Sequence, residues 1–247
     1  MHFVRPLPKR LATLALVAAL AISTAEARDP KPKIPPGRDP GGVAVALVGH
    51  GLDYRRPELA KRLARDGEGE AIAWDFVDND ARPFSDDDAD GAEAAVVAAD
   101  GARLVTIRVA AGRPDQIAAA LRFAGQTPAR VILIAADPGS PIDAPHLAEA
   151  ARHLAHAVLV VPERHVRGPE PGAPGSQQTG LVIVRDAIPE AGAPLLPKDR
   201  LAAAHVAALA ARLIAMSPDR APAVVASCLR ERQNRAHAPD TATTPCR

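Results

Sequence analysis

The residues from Asp75 to Glu93 hold eight carboxylates and one cation, Arg82. Within them, Asp86-Asp87-Asp88-Ala89-Asp90-Gly91 sets carboxylates at alternate positions ahead of a glycine. Calcium loops begin with that spacing, because a hard cation takes its oxygens from the first, third and fifth positions. The twelfth position, where a bidentate Glu completes the sphere, is Val97, and the residues after Gly91 have helical character. The stretch is a half-motif. Asp86, Asp88 and Asp90 are the calcium candidates, a solvated acidic loop is the alternative, and no other cofactor is implied.

Hydroxyls, imidazoles and thiols complete the inventory. Ser85, Ser140, Ser176 and Ser217 are available, but none stands in a G-x-S-x-G elbow that would expose a nucleophile. His50 follows an apolar run, and Asp53 or Asp199 could orient its ring. Without a paired nucleophile it supports no covalent mechanism, and a histidine at a strand end is the alternative. His146, His153 and His156 fall on or beside one helix, with 153 and 156 sharing a face. A metal site would need a third ligand there, so a solvated helical face is the better reading. Cys228 and Cys246 lack the C-x-x-C spacing of redox catalysts and neighbour no His. They read as a disulfide that ties a polar tail to the last helix, a closure worth about 3 kcal/mol.

That bridge presupposes an oxidising compartment, and the N-terminus supplies the reason. Arg5, Lys9 and Arg10 precede the apolar run Leu11 to Ile22, and Ala25-Glu26-Ala27 offers the small residues of a cleavage site. Residues 1–27 therefore read as a signal peptide and the mature chain as periplasmic or secreted. The run is short for a bilayer span, and a retained anchor is the alternative. After cleavage no membrane contact is expected. Removing the segment leaves 27 cationic and 28 anionic side chains, so no charge excess points to nucleic acid. Six aromatics in 247 residues exclude a base-stacking platform as well. The expected partner is a protein or peptide. With 47% apolar residues the chain is globular, and Ala and Val must fill much of its core.

The elements that would position these groups alternate. Residues 28–42 are a Pro/Gly-rich linker, 43–232 a domain and 233–247 a polar tail. Continuous apolar runs at Val43–Val48, Ala71–Val77, Arg103–Val109, Arg130–Ala136, Ala157–Val161 and Leu181–Val184 are strands buried on both faces. Between and after them, Pro57–Ala64, Ala92–Ala99, Pro114–Ala124, Pro145–His156, Leu201–Met216 and Pro222–Arg232 read as helices. Prolines at 57, 114 and 145 suit a first helical turn. The alternation predicts an α/β fold of three layers, a parallel sheet with helices on both faces. Arg164–Gln178 is the longest polar interruption, a length at which loops are often functional.

In this order the residues resemble the subtilisin-like serine peptidases. Val45-Ala46-Leu47-Val48-Gly49-His50-Gly51-Leu52-Asp53, followed by Pro57-Glu58-Leu59, is similar to the family's V-A-V-I-D-T-G-I-D and H-P-D-L. Trp74 to Asp80 spells W-D-F-V-D-N-D, a family segment almost letter for letter. Arg108-Val109 with Ile117–Phe123, then Val131-Ile132 and Val158–Val161, resemble later core elements. Ala202-Ala203-Ala204-His205-Val206-Ala207 resembles the A-A-P-H-V-A of the family's serine helix. The resemblance covers Val43 to Arg232 and implies a shortened subtilisin-like domain.

It also implies where catalysis should sit, and those positions are replaced. The catalytic Asp position is Gly49. The His-Gly-Thr-His segment falls within Asp88–Glu93, with Asp90 at the histidine. Arg200 stands at the nucleophile, and the oxyanion residue falls near Arg164–His165, at His165. Acyl transfer needs a hydroxyl, a base, a carboxylate to orient it and oxyanion donors. A guanidinium at the nucleophile position stays protonated and cannot attack. The resemblance thus implies a pseudo-protease that binds or regulates, with an active serine endopeptidase of displaced residues as the alternative.

Overall fold

The computed structural model describes residues 41–99, 101–168, 179–185 and 198–236, with backbone alone at 198–200 and 235–236. Six strands form the main sheet: β1 (Ala44–Gly49), β2 (Ala73–Asp75), β3 (Arg103–Arg108), β4 (Ala129–Ile134), β6 (Val158–Pro162) and β8 (Leu181–Val184). Their order is β2-β3-β1-β4-β6-β8, and every pairing is parallel. A separate two-strand pair, β5 (Ile142–Asp143) and β7 (Val166–Arg167), was not visible in the apolar pattern. Two-residue strands carry no periodicity to read.

The sheet is apolar on both faces because helices cover both. They are α1 (Pro57–Ala60), α2 (Gly91–Ala99), α3 (Pro114–Ala124), α4 (Ala144–His153), α5 (Lys198–Met216) and α6 (Pro222–Ala236). Alternation along the strands divides the core in two. Val45, Leu47, Val131, Leu133, Val158 and Val160 pack with α2, α5 and α6. Ala46, Val48, Ile132, Ile134, Leu159 and Val161 pack with α3 and α4 on the other side. This is the three-layer α/β architecture that the alternation predicts.

Two elements fall to about half the length of their sequence pattern, and α4 ends at His153 rather than at His156. The α1 helix stops at Ala60 because tertiary pairing takes the next residues: Ala64 N–H donates to Leu104 O, and Leu104 N–H donates to Arg62 O. Residues 62–64 thus add a bridge to the edge of β3 rather than another helical turn. The β2 strand ends at Asp75, whose side chain caps the turn that follows. At the other extreme α6 runs to Ala236, so the helix enters the stretch expected to be a polar tail. Where the expected loop Arg164–Gln178 begins, Glu163–His165 forms a 3-10 turn ahead of β7.

The direction of α5 fixes the candidate site. Arg130, at the start of β4, donates from its guanidinium to Pro218 O just beyond the C-terminal end of α5. The helix is about 28 Å long at 1.5 Å per residue, so its first turn lies toward the C-terminal ends of the strands. Arg200 stands in that turn.

Candidate functional site

The C-terminal edge of β1 is where the resemblance puts chemistry, and there the Asp90 carboxylate lies against Gly49 while the His50 imidazole follows the strand. Asp90 is 1% exposed, and its Oδ2 accepts the Gly51 N–H at 2.7 Å. A Cβ built on Gly49 would lie 2.1 Å from that same oxygen. The carboxylate offered from the start of α2 therefore fills the space into which a β1 side chain would grow. The structure thus brings Gly49 and Asp90 together, though they are 41 residues apart in the chain. Gly51 turns with φ of +100°, and a Cβ there would come within 2.9 Å of Ser85 Cβ. Glycine is required on both counts.

Asp88 braces the next stretch. Its Oδ1 accepts the Asp53 N–H at 2.8 Å and its Oδ2 accepts Arg56 Nη1 at 2.5 Å. It holds φ of +48°, a left-handed conformation that a short polar side chain tolerates. Ser85 donates its hydroxyl to Asp87, which holds that carboxyl below its ordinary range. Asp86 is exposed. Two of the three calcium candidates thus point their oxygens at backbone N–H groups or a guanidinium. Among the described residues no three His, Cys, Asp or Glu side chains form a group that could hold a metal ion.

His50 is a tie between loops. Its Nδ1 lies 3.1 Å from Val109 O, and its Nε2 accepts the Asp137 N–H at 3.1 Å. Only the Nδ1–H tautomer satisfies both contacts. Both ring nitrogens are engaged, so the ring is not poised as a base. Asp53 does not orient it. Its carboxylate grips Arg55 instead, and that guanidinium hydrogen bond holds the Asp53 carboxyl below the usual range.

The remaining positions lie farther along the edge. His165 is 3% exposed in the 3-10 turn after β6, and its Nε2 accepts Arg164 Nε at 3.0 Å. The Lys198, Asp199 and Arg200 side chains lie outside the described residues, as does Cys246. Cys228 is buried on α6, and no cysteine is free among the described residues. His146 and His153 sit on the exposed face of α4, beside Asp143 and Glu149 respectively.

One residue of the acidic stretch proved structural in a way its sequence did not disclose. Asp75 is fully buried at the end of β2, where Oδ1 accepts the N–H groups of Val77 and Asp78 and Oδ2 accepts Arg108 Nη1 at 2.9 Å. The aspartate two residues ahead of a tight turn was the available signal.

No known protein-family profile matches the chain, and no curated protein matches it. Among solved structures it is similar to the crystal structure of MycP1 with the N-terminal propeptide removed. The superposition covers 76% of this chain and 82% of that one, at 19% identity and a TM-score of 0.47. A likeness at that level carries no argument about activity. Among the described residues no helix is long and apolar enough to cross a membrane.

Proposed function

We propose that the chain is an exported pseudo-protease: a subtilisin-like scaffold without a working triad, which binds a protein or peptide at the strands' C-terminal edge. The observation that carries the reading is the Gly49–Asp90 pair. By the family resemblance, the space for an orienting carboxylate on β1 is taken by a side chain standing where the base would be. A carboxylate there has no imidazole to orient, and it is occupied with the Gly51 N–H. Activating a hydroxyl needs the base and its orienter together. The order of sequence motifs from Val43 to Arg232 supports the scaffold, and the N-terminal pattern supports export with cleavage after residue 27.

A serine-reactive fluorophosphonate probe tests the reading. The purified chain is expected to remain unlabelled, and Arg200→Ser is expected to cleave a generic peptide no faster than background. Triad members act as a unit, so a hydroxyl restored alone recovers little of the lost rate. Stoichiometric labelling of the unaltered chain would establish the alternative, an active serine endopeptidase with displaced residues.

The same reading pairs Cys228 with Cys246 in the exported protein. Alkylation without reductant, followed by mass spectrometry, is expected to leave both thiols unmodified. Two alkylated cysteines would remove the bridge. No resident cofactor is needed for the binding role.

A further inference from the structure

The chain has six aromatic residues, and three of them converge on one cavity. Tyr54, Trp74 and Phe123 line a space of about 790 Å³ beside β2, the outermost strand of the sheet on that side. Trp74 and Phe123 lie with ring centroids 6.2 Å apart, and Tyr54 is braced edge-on by Phe84. Phe123 is 2% exposed and belongs to the core on the α3 side, so Trp74 and Tyr54 are the rings left partly exposed beside the cavity.

The same cavity is lined by Asp66, Glu68 and Glu70 with one cation, Arg82, while Arg65 donates from its guanidinium to Gly69 O in the acidic turn. Asp66 Oδ1 caps the local turn by accepting the N–H groups of Glu68 and Glu70. Glu68 and Glu70 themselves are exposed, and neither meets a cation in an ion pair among the described residues. Arg82 stands near Asp80 at 3.8 Å, so its charge is partly answered elsewhere.

We propose that this cavity binds a small organic cation, a quaternary or tertiary ammonium on a short apolar body. Aromatic walls attract a cation through the negative faces of their rings, and they favour a weakly hydrated ammonium over a strongly hydrated one. The exposed carboxylates of Glu68 and Glu70 in the lining raise its local concentration and select against anions. The volume lies within the range of small-ligand sites. The proposal is independent of the pseudo-protease reading, because none of these residues belongs to the triad-equivalent set.

Trp74 is the chain's one tryptophan, so its emission reports this cavity alone. Choline titrated into the full chain at low salt is expected to shift that emission saturably. Its neutral isostere 3,3-dimethylbutan-1-ol should bind about tenfold more weakly. The double variant Glu68→Gln, Glu70→Gln should weaken choline by about fivefold, since two exposed charges of modest individual value are removed. Glu58→Gln, at an exposed carboxylate outside the cavity lining, should leave it unchanged. The proposal is overturned if choline produces no saturable change up to tens of millimolar, or if the neutral isostere binds equally well. A stronger response to Nα-acetyl-lysine amide than to choline would overturn it too, by pointing to a peptide side chain.

Discussion

Gly49→Ala is expected to destabilise the protein by about 3 kcal/mol, a large cost for adding one methyl group. The new Cβ would meet Asp90 Oδ2 at 2.1 Å and the carboxyl carbon at 2.5 Å, inside any tolerable contact. Relief requires the carboxylate to leave, and leaving orphans the Gly51 N–H that it holds at 2.7 Å. A buried hydrogen bond to a charged acceptor is worth about 1.5–3 kcal/mol, so the clash and the lost bond are two routes to the same penalty. Asp90→Ala alone should cost about 2 kcal/mol through that orphaned donor. The informative variant is the double one. With Asp90 truncated, a methyl at position 49 enters vacated space, so Gly49→Ala/Asp90→Ala should cost no more than Asp90→Ala alone. Urea unfolding of the four proteins measures the coupling. Additive penalties would mean that the two positions do not compete for one space, and the proposed pseudo-protease reading would lose its geometric basis.

That competition explains what sequence could and could not disclose. The parallel order was legible because strands buried on both faces must be continuously apolar, as Val131–Ile134 and Val158–Val161 are. Helix positions followed from proline at the first turn and from Ala-rich stretches between strands. The early end of α1 was not legible, because a bridge from Leu63 to Leu104 joins residues 41 apart and outweighs local propensity. Local pattern likewise offered the Asp86–Asp90 run as cation ligands. The oxygens of Asp88 and Asp90 are instead spent on Gly51, Asp53 and Arg56, partners more than 30 residues away. Composition announced six aromatics but gave no reason for three of them to share a cavity beside β2. Long-range partners decide the meaning of a polar residue, and a single sequence does not carry them.

Asp75 is the strongest instance, and its removal should be among the most damaging single changes outside the apolar core. Asp75→Ala is expected to cost about 3 kcal/mol. The carboxylate is fully buried and accepts three donors: the N–H groups of Val77 and Asp78, at 2.7 and 3.0 Å, and Arg108 Nη1 at 2.9 Å. Truncation leaves two backbone donors and one face of a guanidinium without an acceptor. The penalty stays at the low end for a broken buried pair because Asp78 Oδ2, 65% exposed by side chain, still holds Arg108 Nη1 at 2.7 Å. Asp75→Asn keeps an oxygen for the turn but sets an amide against Arg108, so about 2 kcal/mol is expected. Asp78→Ala removes only the exposed partner and should cost less than about 1 kcal/mol. The damage should also be local in its first expression. Asp75 N–H donates to Asp80 O and Phe76 N–H to Arg108 O, so exchange of these amides should accelerate before that of β1 or β4 in the sheet centre. If Asp75→Ala and Asp78→Ala proved equally mild, the turn after β2 would be held by its backbone alone. The near-literal W-D-F-V-D-N-D run would then owe nothing to the buried carboxylate.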